Sequence, residues 1–232
     1  MTQADCIPGA EFVDNTQQRT PCLLVLDGSG SMANHGNMNR LNEGMKRLEE
    51  ELKRDVVARN RVQIAVIRFG GSEPTLLTDW TDAVEFEAPV LTAEGVTPMG
   101  LAVDMGLHMI EERKELYKKN GIPYTRPWMF LVSDGAPTDS QWEQSARRCN
   151  QAETNKQVLV WPLGVVGSDM AKLAAFKAPN KEGKRDVFSL DGMHFIELFQ
   201  WLSASLSRTS QGEMGGTIQI AAPPARMITI ET

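Results

Sequence analysis

Histidine and cysteine are scarce in this sequence, with three of each among 232 residues, and aromatic side chains make up only 6%. Cys6, Cys22 and Cys149 are widely spaced and odd in number, which argues against a disulfide framework and a cysteine-rich zinc site. Reduced, cytoplasmic thiols are the expectation. No apolar run approaches the roughly 20 residues that a membrane helix needs. The opening Met1-Thr2-Gln3-Ala4-Asp5 lacks the basic and apolar regions of a secretory signal, so a soluble, unexported protein without a membrane partner is expected. Lysine and arginine (24) trail aspartate and glutamate (30), the net charge is -6, and no basic block stands out. Such a surface does not track phosphates, and nucleic acid is not an expected partner. A Gly-x-x-x-x-Gly-Lys-Ser/Thr segment is missing too, which excludes phosphoryl transfer by a P-loop. What the chain does have is 41% hydrophobic residues, enough to bury the core of one ordinary domain.

After a polar leader (1–20), the run Pro21 to Leu26 reads as a strand buried on both faces, ending at Asp27. An Asn- and Gly-rich loop follows. Leu41, Met45, Leu48, Leu52 and Val56 then recur at helical spacing and predict an amphipathic helix. Val62 to Phe69 is β-branched and ends at Gly70-Gly71, a second strand, and a weaker extended stretch spans Leu76 to Trp80. From Pro98 to Ile110 almost no polar face is left, so a buried helix is predicted, with His108 a packed residue inside it and the charged run Glu111 to Lys119 carrying it into solvent. Trp128 to Val132 reads as a strand ending at Ser133-Asp134-Gly135, and Ser140-x-x-Glu143 as a capping box opening a helix. Val158 to Val166 is the next strand, Ser168 caps a short helix, Asp186 to Leu190 is a short strand, and Phe195, Leu198, Phe199, Leu202 and Leu206 mark a last helix. The tail (209–232) holds one further candidate strand at Ile218 to Ile220. Strands alternating with helices predict an α/β fold: a mostly parallel central sheet, helices on both faces and one antiparallel edge strand, with the domain at 21–208.

In such sheets the functional site lies at the carboxyl ends of the strands. Three segments fall there: Asp27-x-Ser29-x-Ser31, Gly95-Val96-Thr97-Pro98, and Asp134-Gly135. Together they supply three hydroxyls and two carboxylates. A hard divalent cation such as Mg²⁺ wants about six oxygens and gives up its waters reluctantly. Alternating residues after a strand can turn Ser29 and Ser31 toward one ion, while Asp27 and Asp134 hold hydroxyls or waters from behind. With mostly neutral ligands, the ion keeps much of its charge and seeks a carboxylate from another molecule.

This constellation resembles the metal-ion-dependent adhesion site (MIDAS) of the von Willebrand factor A (vWA) family, Asp-x-Ser-x-Ser followed by a distant Thr and a distant Asp. The matching positions are Asp27, Ser29, Ser31, Thr97 and Asp134, in the family's order. Val96 departs from it, standing where many relatives have a second glycine. The resemblance implies a Rossmann-like fold over about residues 20 to 208. It also implies direct metal contact by Ser29, Ser31 and Thr97, Mg²⁺ as cofactor with Mn²⁺ or Ca²⁺ as alternatives, and a protein partner that supplies an Asp or Glu. Within the family the chain looks most like the bacterial TerY type of tellurium-resistance clusters, whose members occur beside a protein kinase and a protein phosphatase. A non-enzymatic adaptor is the implied function.

Rival readings use the same residues. Gly28-Ser29-Gly30-Ser31-Met32-Ala33 fits a dinucleotide fingerprint, but that fold opens a helix at the glycines, and here Asn34 to Asn39 intervene. A serine hydrolase would pair Ser29 with Asp134 and His35, His108 or His194, yet the flanks of Ser29 are not those of a nucleophile elbow. A metal-dependent hydrolase or phosphatase using the same ion is the alternative function, although no histidine is tied by motif to the cluster. A scaffold whose contacts are made by the tail is a third reading.

Overall fold

The apolar run at 21–26 becomes the middle of a sheet. In the computed structural model, which describes residues 12, 15–134, 136–190, 195–211 and 226–230, strand β1 (Thr20–Asp27) is buried along its whole length. It pairs in parallel with β2 (Val62–Phe69) on one side and β4 (Trp128–Ser133) on the other. Strands β5 (Leu159–Val165) and β6 (Arg185–Leu190) continue the parallel set beyond β4. Antiparallel strands close both edges: β3 (Thr75–Asp82) beside β2, and β7 (Arg226–Ile230) beside β6. The order is β3-β2-β1-β4-β5-β6-β7. The mostly parallel α/β sheet is therefore as expected, and where one antiparallel edge strand was expected the sheet has two, β3 and β7. The candidate strand at Ile218 to Ile220 lies outside the described residues.

Side chains alternate across β1 and sort the core into two layers. Leu24 and Leu26 face the layer containing Leu41, Met45, Leu48 and Leu52 of α1 (Asn37–Arg54) and Leu198, Phe199, Leu202 and Leu206 of α6 (Phe195–Gln211). Leu23 and Val25 face the opposite layer, with Met99, Ala102, Val103 and Ile110 of α3 (Met99–Lys119), Ala146 and Cys149 of α4 (Trp142–Thr154), and Leu173 of α5 (Met170–Ala174). Each fully buried Leu or Met contributes about 1.5–3 kcal/mol by leaving water. That burial, more than helix propensity, holds α1 in place.

Several local expectations give way to tertiary contacts. Val56 lies beyond α1 and is 68% exposed, because Asp55 ends the helix and its Oδ1 accepts from the amides of Val57 and Ala58 at the start of α2 (Ala58–Arg61). His108 is an exposed side chain whose Nε2 lies 3.3 Å from Glu112, not a packed one. The charged run of α3 does not simply enter solvent: Arg113 turns inward, its Nε and Nη2 donating to Gln63 Oε1 at 3.0 and 2.7 Å and its guanidinium lying 4.9 Å from the Phe12 ring centroid. Ser140 caps nothing, since α4 opens at Trp142 behind Gln141 without a side-chain cap. Ser168 donates to Val165 O, and Asp169 caps α5 by accepting from the Lys172 amide at 3.1 Å. The last helix runs to Gln211, past residue 208. Among the described residues no helix is long and apolar enough to cross a membrane.

Candidate metal centre

The chain leaves β1 toward β2 on one side and returns to β4 on the other, so the direction of winding reverses between β1 and β4. Ligand crevices of open α/β sheets form at such a point, beyond the carboxyl ends of the strands. Asp27 ends β1 and Ser133 ends β4. The motif residues therefore meet where the topology leaves a gap.

The loop after β1 does not begin a helix at its glycines. A 3-10 segment (Gly30–Gly36) follows, broken by extended Asn34 and by His35 at φ 55°, and α1 starts only at Asn37. This removes the helix N-terminus that a dinucleotide pyrophosphate would need. Asp27 Oδ1 accepts from the Ser29 amide at 2.8 Å, which fixes the turn, and Asp27 Oδ2 accepts from the Ser133 hydroxyl across the gap. The Ser29 and Ser31 hydroxyls lie 3.0 Å apart, and Ser31 donates to Asp134 Oδ1 at 2.7 Å. Four of the five expected residues thus form one hydrogen-bonded cluster. Asp27 and Ser29 are buried, and exposed Ser31 marks its opening.

Thr97 reaches the same end on its own loop. The Gly30 amide donates to Gly95 O at 3.1 Å, and the Glu94 amide donates to Gly28 O at 2.8 Å, which stitches that loop to the serine loop. Thr97 is in turn clasped by Thr138: its amide donates to Thr138 Oγ1 at 3.1 Å, and the Thr138 amide donates back to Thr97 O at 2.9 Å. Asp139 Oδ1 accepts from the Gly100 amide at 3.1 Å in the first turn of α3. Two glycines permit this closeness. A Cβ on Gly70 would sit 2.4 Å from the carbonyl of Gly28, and one on Gly95 would sit 2.5 Å from the Gly71 nitrogen.

Burial raises the Asp27 carboxyl above its ordinary value, the donors Ser133 and Ser29 oppose that rise, and the Asp134 charge adds to it. Asp134 is also raised, chiefly by burial, against the pull of Ser31 and His35. Two desolvated carboxylates side by side are a site short of positive charge. The candidate ligands are all oxygens, and with the Ser31 proton directed to Asp134 the Ser29 hydroxyl donates to the Ser31 oxygen. Among the described residues no group of three or more His, Cys, Asp and Glu assembles into a metal cluster. This donor set fits a hard divalent cation and suits a soft one poorly.

Sequence reasoning did not single out Ser133, Thr138, Asp139 or Arg68 as site residues. Ser133 carried a signal in its place at the end of a buried strand. The others act across 24 to 41 residues of sequence separation, and no local pattern marks them. Gly135 and His194 lie outside the described residues, and exposed His108 sits far along α3.

The model of the von Willebrand factor type A domain matches residues 23–200. No curated protein matches the sequence. Among solved structures, the chain is similar to a von Willebrand factor type A protein from Catenulispora acidiphila (14% identity, TM-score 0.60, covering 82% of this chain and 43% of that one). It is also similar to the pilus adhesin SpaC from Lactobacillus rhamnosus GG in an open conformation (14% identity, TM-score 0.65, 84% and 31%). A third similar structure is proximal thread matrix protein 1 of the mussel byssus with a zinc-occupied MIDAS motif (17% identity, TM-score 0.52, 84% and 47%). The chain spans under half the length of each of these three proteins.

Proposed function

Since this chain belongs to the von Willebrand factor type A family, we propose that it is a metal-dependent protein-interaction module and not an enzyme. The observation that carries the reading is the oxygen cluster at the switch point, in which Ser29, Ser31 and Asp134 are already linked and Asp27 anchors both strands. Ser29, Ser31 and Thr97 would hold the cation directly, and Asp27 and Asp134 would orient hydroxyls and waters around it. A bound Mg²⁺, with Mn²⁺ or Ca²⁺ as substitutes, supplies a coordination position for an Asp or Glu carboxylate of a partner protein.

Each of the chain's own residues has a task in this scheme. Asp27 holds the Ser29 amide and the Ser133 hydroxyl and so keeps the β1 and β4 ends at a fixed separation. Ser31, at the exposed lip, donates its proton to Asp134 and accepts that of Ser29, which links the two walls of the site. Thr97 is held by Thr138 on the opposite wall. Of the two histidines among the described residues, His108 is on the exposed side of α3 and His35 is an exposed loop residue. The proposal includes a cytoplasmic setting of the TerY type, with a protein kinase and a protein phosphatase as the partners to test first. It divides the chain into a leader (1–20), the module (21–208) and a tail (209–232) whose β7 completes the sheet edge.

The test is Mn²⁺ titration of the wild type against Ser29→Ala/Ser31→Ala, followed by capture of partners with Mg²⁺ present or chelated. The wild type binds, the double variant loses at least tenfold in affinity, and partners are lost on chelation and in the variant alike. Equal binding by a folded double variant refutes the site. Metal-dependent turnover of a phosphoester that disappears in the variant would replace the module by a hydrolase.

A further inference from the structure

Arg68, the penultimate residue of β2, is almost completely buried, with 9% of its surface exposed. Its guanidinium meets three separate pieces of chain. Nη1 donates to Gly70 O at 3.0 Å; Nη2 donates to Gly28 O at 3.1 Å, to Thr92 O at 3.0 Å and to Glu94 Oε1 at 3.1 Å. Nε donates to Thr92 O at 3.3 Å. Gly28 lies between Asp27 and Ser29, and Thr92 and Glu94 lie just ahead of Thr97. One side chain is therefore fastened to both loops that carry the hydroxyls of the site.

We propose that Arg68 is a positioning residue that sets the cation affinity of this centre by bracing the Ser29–Ser31 loop against the Thr97 loop. The assignment rests on the cation reading above. A guanidinium presents five donors in a rigid plane, whereas an ammonium is a compact point charge with three, so lysine cannot span the same acceptors. Gly28 is the matching half of the device: a Cβ there would lie 2.3 Å from Arg68 Nε. The loop-to-loop bonds Gly30 N to Gly95 O and Glu94 N to Gly28 O run alongside the guanidinium. Without it, Gly70 O and Thr92 O lose a buried charged donor, and those two bonds alone must keep the loops in register.

The experiment compares wild type, Arg68→Lys and Arg68→Met for Mn²⁺ affinity by electron paramagnetic resonance, and for amide hydrogen exchange in the cation-free protein. Arg68→Met weakens Mn²⁺ binding by about tenfold or more, the range seen when partners behind a metal ligand are removed, and Arg68→Lys falls in between. The amides of Gly30 and Glu94 lose protection while those of β1 and β4 keep theirs, a pattern that general destabilisation would not give. Glu94→Ala, at a side chain 67% exposed, removes one acceptor without emptying the interior and gives a smaller loss in the same direction. That variant carries the test if Arg68→Met fails to fold. Wild-type affinity in the folded variants, or unchanged protection at Gly30 and Glu94, overturns the assignment while leaving the cation site intact. Failure of the wild type itself to bind Mn²⁺ overturns the site, and the assignment with it.

Discussion

Gly70→Ala adds one methyl group where the backbones of two loops meet. The new Cβ would lie 2.4 Å from both C and O of Gly28 and 2.8 Å from the Ser29 nitrogen. Ordinary contact begins near 3.4 Å, so the two loops must part by about 1 Å. All three obstructing atoms are backbone, and no rotamer change relieves them. Overpacking of this kind costs about 1–3 kcal/mol, which for a chain of this size lowers Tm by roughly 2–4 °C per kcal/mol. The functional effect should be larger in proportion, because ligand geometry must be held to within about 0.5 Å. Ser29 moves with the displaced backbone, so Mn²⁺ affinity falls at least tenfold, of the order expected for a disturbed metal shell. Parallel urea unfolding and Mn²⁺ titration, both begun from the cation-free protein, separate the two effects. A Gly70→Ala protein with wild-type urea stability and affinity would refute the claim that close backbone contact sets this centre.

Two more predictions concern opposite ends of the sheet. Asp27 has a raised carboxyl in the folded, cation-free protein, so its contribution to stability is fully present below the unfolded value near 3.8 and is lost as pH rises through the higher folded value. Asp27→Asn should therefore make the cation-free protein more stable than wild type at pH 7, narrow that advantage toward pH 3.5, and abolish Mn²⁺ binding; urea unfolding at several pH values in a chelator checks the sign, and a less stable variant at pH 7 would contradict it. Near the amino end of β2, Gln63 Oε1 accepts from Arg113 and from the Tyr117 hydroxyl, whose burial pushes it up to about 12. Gln63→Leu takes away that shared acceptor and should cost about 3 kcal/mol in unfolding experiments, with Mn²⁺ affinity unchanged because the site lies at the other end of the strands.

How much of this was legible in the sequence depended on the range over which each feature is decided. Buried strands announce themselves by continuous apolar runs, and β1, β2, β4 and β5 lie where those runs predict. Amphipathic spacing gave α1 and α6, because burial of one stripe is a local pattern with a tertiary cause. The clustering of Asp27, Ser29, Ser31 and Asp134, the residues proposed for the site, was readable because each lies at or just beyond the end of a strand, and parallel strands bring their carboxyl ends together whatever the details of the helices.

What the sequence could not decide was set by contacts between distant segments. Periodicity placed Val56 on the buried stripe of α1, but a carboxylate one residue earlier turned the chain away. Hydropathy put His108 inside and the charged stretch of α3 outside; packing against Gln63, Tyr117 and Phe12 drew Arg113 in, while His108 faces solvent beside Glu112. The strand β7 pairs with β6 across a long connection, and nothing near it in sequence reveals an available edge. Arg68 shows the same division at the centre itself. Its sequence neighbours mark only the end of a strand, and its role exists only because Gly28, Gly70, Thr92 and Glu94 converge on one guanidinium. The local order of the chain determined the elements and the chemical types at their ends; the fold alone decided which loops meet, because only packing between distant segments brings those groups within hydrogen-bond distance of one another.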